Sequence, residues 1–170
     1  PHAAGLFLVP HNRRHLVPRG KSPAFVDRLL RICRMNKIDV VIPTVDDELE
    51  PLANARHRFV QRGISVLMAS RSALEVCLDK WRLHRAAADC IPTPHTQLID
   101  RSVHVRQWRG PAVVKPRRGS GSRGIIHIET VDQLESVPKD GTQLLQRYLP
   151  GQEYSVDVLA TPEGRVRGVC

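Results

Sequence analysis

Two apolar runs of strand length, IDVVIPT (residues 38–44) and ISVLMAS (64–70), flank a segment with helical character, VDDELEPLANARHRFVQRG (45–63). The middle segment carries acids in its first turn, bases towards its end and Gly63 as a stop, which suits the helix dipole at both termini. Strand, helix and strand within about thirty residues make a βαβ unit, whose crossover is right-handed almost without exception. Runs that are apolar without alternation are those covered on both faces of a parallel sheet. Upstream, SPAFVDRLLRICRMNK (22–37) opens with Ser22 and Pro23 and spaces Phe25, Val26, Leu29, Leu30 and Cys33 as one buried helix face. The first half of the chain is therefore α/β.

The second half has a different grammar. ALEVCLDKWRLHRAAADC (73–90) continues as a helix capped by Ser70 or Ser72, with Ser72 and Glu75 at capping-box spacing. IPTPHTQLI (91–99) breaks it, because prolines two apart favour extended backbone, and it is the best linker candidate. PAVVKP (111–116) reads as a strand, RRGSGSRG (117–124) as a glycine turn and IIHIE (125–129) as the partner strand. A short helix (130–137), a strand TQLLQRYL (142–149) and a hairpin (152–170) turning at TPEG complete an antiparallel, strand-rich region.

Composition narrows the partners. With 41% hydrophobic and 25% charged residues the chain is globular, and with 4% aromatic residues its core must rest on Leu, Val, Ile and Ala. Lys and Arg number 26 against 17 Asp and Glu, a formal charge of +9 that favours nucleotides, nucleic acid or acidic membranes alike. The excess is mostly arginine spread along the chain, which also fits a basic solvated surface. Cys33, Cys77, Cys90 and Cys170 show no metal-ligand spacing and read as reduced thiols of a cytoplasmic protein, mostly filling the core. No apolar run approaches the ~20 residues of a membrane span.

The stretch VVKPRRGSGSRGI (113–125) sets flexible backbone beside dense positive charge. A phosphate cradle needs amides aimed inward, and glycine and serine let a ligand approach them, with a lysine supplying a compact charge. The P-loop pattern does not fit, since Lys115 precedes the glycines and β-branched residues follow Gly124. The sequence therefore reads either as a hairpin flap closing over a ligand or as a mobile surface loop. HVRQWRG (104–110), with Trp108, reads as a surface element, and Asp46, Asp47, Glu48 and Glu50 either complement a helix N-terminus or meet a substrate amine.

Four segments in order, IDVVIPTVDDELEPLA, DKWRLHRAAADCIPTPHT, VVKPRRGSGSRGI and LLQRYLPGQEYSVDVLA, resemble the ATP-grasp superfamily. The likeness is to carboxylate-amine ligases related to carbamoyl phosphate synthase large chains and biotin carboxylases. It implies a partial Rossmann-like domain over residues 1–72 and a lysine-bearing helix with its linker over 73–110. A lid subdomain with antiparallel strands, and the start of an incomplete C-terminal one, would fill 111–170.

The resemblance implies that Lys80 and Lys115 contact ATP phosphates and that Gly119, Ser120, Gly121, Ser122 and Gly124 form the flap over them. Gln146, Arg147, Tyr148 and Leu149 would form the hinge against adenine, and Glu153 would bond the ribose hydroxyls. The family has glycine where this chain has Cys90. The partners implied are ATP, a small-molecule carboxylate and an amine, with no membrane, nucleic acid less favoured and homo-oligomerisation open. Mg2+ is implied as well, but family members hold it on later strands and no Glu-x-Asn pattern occurs here. The chain is expected to be cut at both ends and to bind nucleotide weakly with little turnover. The alternatives are a basic nucleic-acid-binding module and a non-catalytic relative that senses nucleotide.

Overall fold

A computed structural model describes residues 8–161 and 163–170. In the first half, α1 (Phe25–Met35) and α2 (Asp46–Val60) pack on a parallel pair, β1 (Val40–Val41) and β2 (Ser65–Val66), with Val40 opposite Ser65. Phe25, Leu30, Cys33, Leu52, Ala55, Phe59, Ile64 and Val66 form the core of this unit. The parallel βαβ order is the one the apolar runs predict. Burial on both faces is not: Val40, Ile42 and Leu67 stay 49%, 62% and 65% exposed. The physical reason is that α1 and α2 both join a single cluster, so among the described residues the helices pack the pair from one side. Only Cys33 is buried, and the other three cysteines lie at the surface, so core filling accounts for one thiol in four.

The helix expected across residues 73–90 is two helices, α3 (Arg71–Cys77) and α4 (Lys80–Ala87). Ser70, rather than Ser72, caps α3, its hydroxyl accepting from the Ala73 amide at 3.2 Å. The break falls at Asp79, whose carboxylate accepts from the Trp81 and Arg82 amides at 3.1 and 3.2 Å and starts a new helix there. Ser70→Ala is expected to lower stability by about 1 kcal/mol, seen as a lower urea midpoint with an unchanged slope.

The second half is a four-stranded antiparallel sheet. Its strands are β3 (Thr96–Ile99), β4 (Ala112–Pro116), β5 (Ile126–Ile128) and β6 (Gln143–Arg147), in the order β3-β6-β4-β5. Strand β3 lies inside the stretch read as a linker: its prolines do extend the backbone, and β6 takes up the extended chain as an edge strand. Alternation sends Ile99, Leu145, Val114, Ala112 and Ile128 to one face. There they pack with Leu134 of α5 (Val131–Glu135), Val137, Val105 and Trp108. Trp108 is thus part of the core, 7% exposed, and not a surface element. A final hairpin, β7 (Val158–Ala160) and β8 (Val166–Val169), follows. Among the described residues no helix is long and apolar enough to cross a membrane.

Candidate functional site

The sheet's second face is set by the same alternation. Thr96, Gln146, Val113 and Lys115 share it, since Thr96 lies opposite Gln146, Val113 opposite Gln146 and Lys115 opposite Leu144. A lysine on a half-covered face needs an acceptor, and Lys115 Nζ donates to Gln146 Oε1 at 2.7 Å. The other end of that amide donates to Thr96 Oγ1 at 2.8 Å, and the Thr96 hydroxyl donates to the Pro94 carbonyl at 2.8 Å. Because the threonine proton is committed to Pro94, its oxygen must accept, which fixes the amide with its carbonyl towards Lys115. The Gln146 side chain is therefore engaged by Lys115 and Thr96.

Lys80 stands at the first position of α4, and its Nζ donates to the Gly119 carbonyl at 2.5 Å. Its backbone amide donates to the Arg117 carbonyl at 3.0 Å, so the start of α4 is stitched to the end of β4. Burial holds the Lys115 ammonium below the usual lysine range, and the nearby charge of Lys80 lowers it further. Two cations close enough to repel, with no carboxylate bonded to either ammonium among the described residues, leave uncompensated positive charge on this part of the surface.

The turn of residues 119–124 is exposed and leads from β4 towards β5. Gly119 has φ +123°, a region open in practice to glycine alone, and Gly124 combines φ +76° with a neighbour, Pro116 Cγ, that an added Cβ would meet at 2.9 Å. Ser122 adopts φ +54° between Gly121 at +66° and Gly124. Glycine at 119 and 124 is thus demanded by the turn itself. Lys80 holds its first residue, which ties the turn to α4.

A family model for the ATP-grasp domain matches residues 77–168, more than half of the chain. The chain belongs to the ATP-grasp superfamily. A second model, for a PylC-like N-terminal domain, matches residues 9–67 of this ATP-grasp chain.

Among curated proteins, the D-alanine--D-alanine ligase of Thermotoga petrophila is 31% identical over 94 residues, covering 52% of this chain and 31% of the ligase. That of Actinobacillus pleuropneumoniae serotype 5b is 30% identical over 111 residues, covering 58% and 37%. The ATP-grasp chain thus spans about a third of the length of the curated relatives it matches. Among solved structures, N5-carboxyaminoimidazole ribonucleotide synthetase from Thermotoga maritima superposes with a TM-score of 0.56 at 21% identity, covering 82% of this chain and 36% of that one. The biotin carboxylase domain of Hydrogenobacter thermophilus 2-oxoglutarate carboxylase, solved with MgADP, ADP and bicarbonate, gives 0.54 at 19%, covering 72% and 31%. These two likenesses speak for the fold.

The remaining residues expected at the nucleotide site run from Arg147, the last residue of β6, into the stretch that follows it. The Arg147 amide donates to the His95 carbonyl at 2.9 Å and the Tyr148 amide to the Pro111 carbonyl at 3.1 Å. Among the described residues the Leu149 amide has no backbone partner. The Tyr148 ring stands edge-on to His127, 5.7 Å between centroids, which extends the open face of the sheet with an aromatic surface. Glu153, inside the hairpin expected over 152–170, is exposed in an irregular stretch five residues ahead of β7.

Sequence reasoning passed over Asp79, Thr96 and Arg117. Asp79 is 1% exposed, and both of its oxygens take hydrogen bonds from Arg117 Nε, at 2.8 and 2.9 Å. That contact, then desolvation in the opposing sense, dominates its titration, and the net effect holds the carboxyl below its usual range. Its signal in the sequence was an aspartate, a good helix-starting residue, placed in mid-pattern ahead of Lys80. The acidic cluster lies around the first turn of α2, and Glu50 Oε1 there meets Arg118 Nη1 at the root of the flap, 3.0 Å away.

Proposed function

We propose that this chain carries the phosphate-binding lid of an ATP-dependent ligase that activates a carboxylate as an acyl phosphate. The observation supporting this reading is the approach of Lys80, bonded to the glycine turn, to Lys115, where among the described residues no carboxylate is bonded to either ammonium. A carboxylate is a poor electrophile, since its charge repels nucleophiles. A carboxylate oxygen attacks the γ-phosphorus, the bond from that phosphorus to the β,γ-bridging oxygen breaks, and the electron pair leaves with ADP. An amine then attacks the acyl carbon, the acyl carbon–oxygen bond to phosphate breaks, inorganic phosphate departs, and the amine loses a proton.

In this scheme Lys115, oriented by Gln146, and Lys80, released from Gly119, neutralise charge on the phosphoryl oxygens. The flap shields the acyl phosphate from water. Lys80, Lys115, the flap residues 119–124, residues 146–149 and Glu153 are the nucleotide contacts we propose. Magnesium would accompany the nucleotide, but among the described residues no group of three or more His, Cys, Asp or Glu side chains could hold it, and no step here depends on it. The cytoplasm, where ATP and reduced thiols coexist, is the setting that goes with this reading.

The test is thermal unfolding with and without ATP. At a hundredfold excess over its dissociation constant, ATP should add about 2.7 kcal/mol of stability. Melting that ignores ATP, together with DNA or RNA binding that falls steeply with salt, would instead assign the +9 charge to nucleic acid.

A further inference from the structure

Two cations that must share a phosphate need their backbones held at a fixed separation, because their own repulsion drives them apart until the ligand arrives. Lys80 and Lys115 lie on different elements, α4 and β4, and Lys80 Nζ reaches the Gly119 carbonyl, three residues past the end of β4. Closer to the backbone there is a stronger tie. Asp79, directly before Lys80, is buried against Arg117, two residues after Lys115 and just past the end of β4. Arg117 Nε reaches both carboxylate oxygens, and Arg117 Nη2 reaches Oδ2 at 2.8 Å, a paired contact that a lysine could not reproduce. The same carboxylate binds the Trp81 and Arg82 amides, and the Lys80 amide is bonded to the Arg117 carbonyl.

We propose that Asp79, clasped by Arg117, is a positioning residue that fixes the separation of Lys80 and Lys115 and thereby sets affinity for the polyphosphate of the nucleotide. The inference rests on the nucleotide reading above. The clasp answers a specific difficulty: a carboxylate beside two lysines would bind them itself and exclude the phosphate. Arg117 occupies both oxygens, so the charge that ties α4 to β4 does not compete for the ammonium groups. Arg82 Nε and Arg118 Nε, 3.8 and 3.9 Å from Asp79 Oδ2, the latter arginine also paired with Glu50, add further positive charge beside the carboxylate.

The experiment measures the affinity of the 170-residue chain for ATP and for inorganic tripolyphosphate by calorimetry. The wild type, Asp79→Asn, Arg117→Lys and Lys115→Met are compared at a temperature where circular dichroism shows each folded. Asp79→Asn keeps an oxygen to cap α4 and loses the paired charge. It should weaken tripolyphosphate and ATP by the same factor, about tenfold, with Arg117→Lys close to it. In the Lys115→Met background the loss should shrink, since there is no longer a pair of lysines to space. Asp79→Asn that is less stable yet binds tripolyphosphate as the wild type does, or that loses the same factor with and without Lys115, makes Asp79 purely structural and overturns the inference. A wild-type chain that takes neither ligand overturns the nucleotide reading and this inference with it.

Discussion

Lys115→Met is expected to cut the ATP-induced rise in melting temperature to about half or less while leaving the unliganded protein as stable as before, or more so. The two effects share one cause. In the free protein the ammonium is half-buried near Lys80, so its charge is unfavourable there, and among the described residues the Gln146 amide is its only side-chain partner. Methionine keeps the length and apolar stem of the side chain, and it relieves both desolvation and repulsion. With ATP present the balance reverses, because a charge-assisted hydrogen bond contributes about 1.5 to 3 kcal/mol, equivalent to roughly ten- to hundredfold in affinity.

The pH dependence separates this cause from ordinary packing. The folded state holds the Lys115 proton less firmly than the unfolded chain does. Between the lowered folded value and the ordinary value of about 10.4, the unfolded state therefore binds more protons, and the Lys115 contribution to stability rises with pH. Below the folded value both states are protonated and the penalty is present in full. Alkaline urea titrations should show that rise in the wild type and lose it in Lys115→Met. A variant that melts below the wild type without ligand at neutral pH would mean that the lysine is a structural cation.

What could be read in advance follows the range of the forces involved. The parallel pair, the lysine strand and the glycine turn each depend on patterns within a few residues, and the chain shows all of them at the expected places. The break at Asp79 does not, because it is stabilised by Arg117, 38 residues away, and locally the sequence is that of one continuous helix. The orientation of Lys115 likewise depends on Thr96, 50 residues before Gln146, in a segment whose prolines suggest a connector. Val40 and Ile42 carry the pattern of a doubly covered strand, yet α1 and α2 share one cluster. Periodicity states which residues can be buried, and the number of helices that reach each side decides which are.

Gly20→Ala is expected to be the more damaging of two glycine substitutions in the first unit, lowering stability by about 3 kcal/mol. A Cβ at Gly20 would fall 2.3 Å from the Asp47 carbonyl oxygen, 2.6 Å from its carbon and 2.8 Å from the Glu48 nitrogen, all of them backbone atoms that no rotamer can clear. The close approach has its origin in Pro51, which sits inside α2 and has no amide to give to the Asp47 carbonyl four residues earlier. That turn lacks one helical hydrogen bond, and the buried backbone at Gly20 packs against its carbonyl.

Relief of the clash requires either the loop or the first turn of α2 to move. The helix is fixed by Leu52, Ala55 and Phe59 in the core, and Glu50 on it meets Arg118 beside the flap. Gly63→Ala is the control: φ is +70° there with nothing within 4 Å, so the substitution should cost only about 1 kcal/mol of backbone conformation. Urea titration followed by far-ultraviolet circular dichroism measures both, while Trp81 and Trp108 fluorescence reports the second half. If Gly20→Ala proves as mild as Gly63→Ala, the loop yields and Gly20 is not needed where it is. If the dichroism midpoint falls and the tryptophan midpoint holds, the damage is confined to the cluster in which α2 is packed.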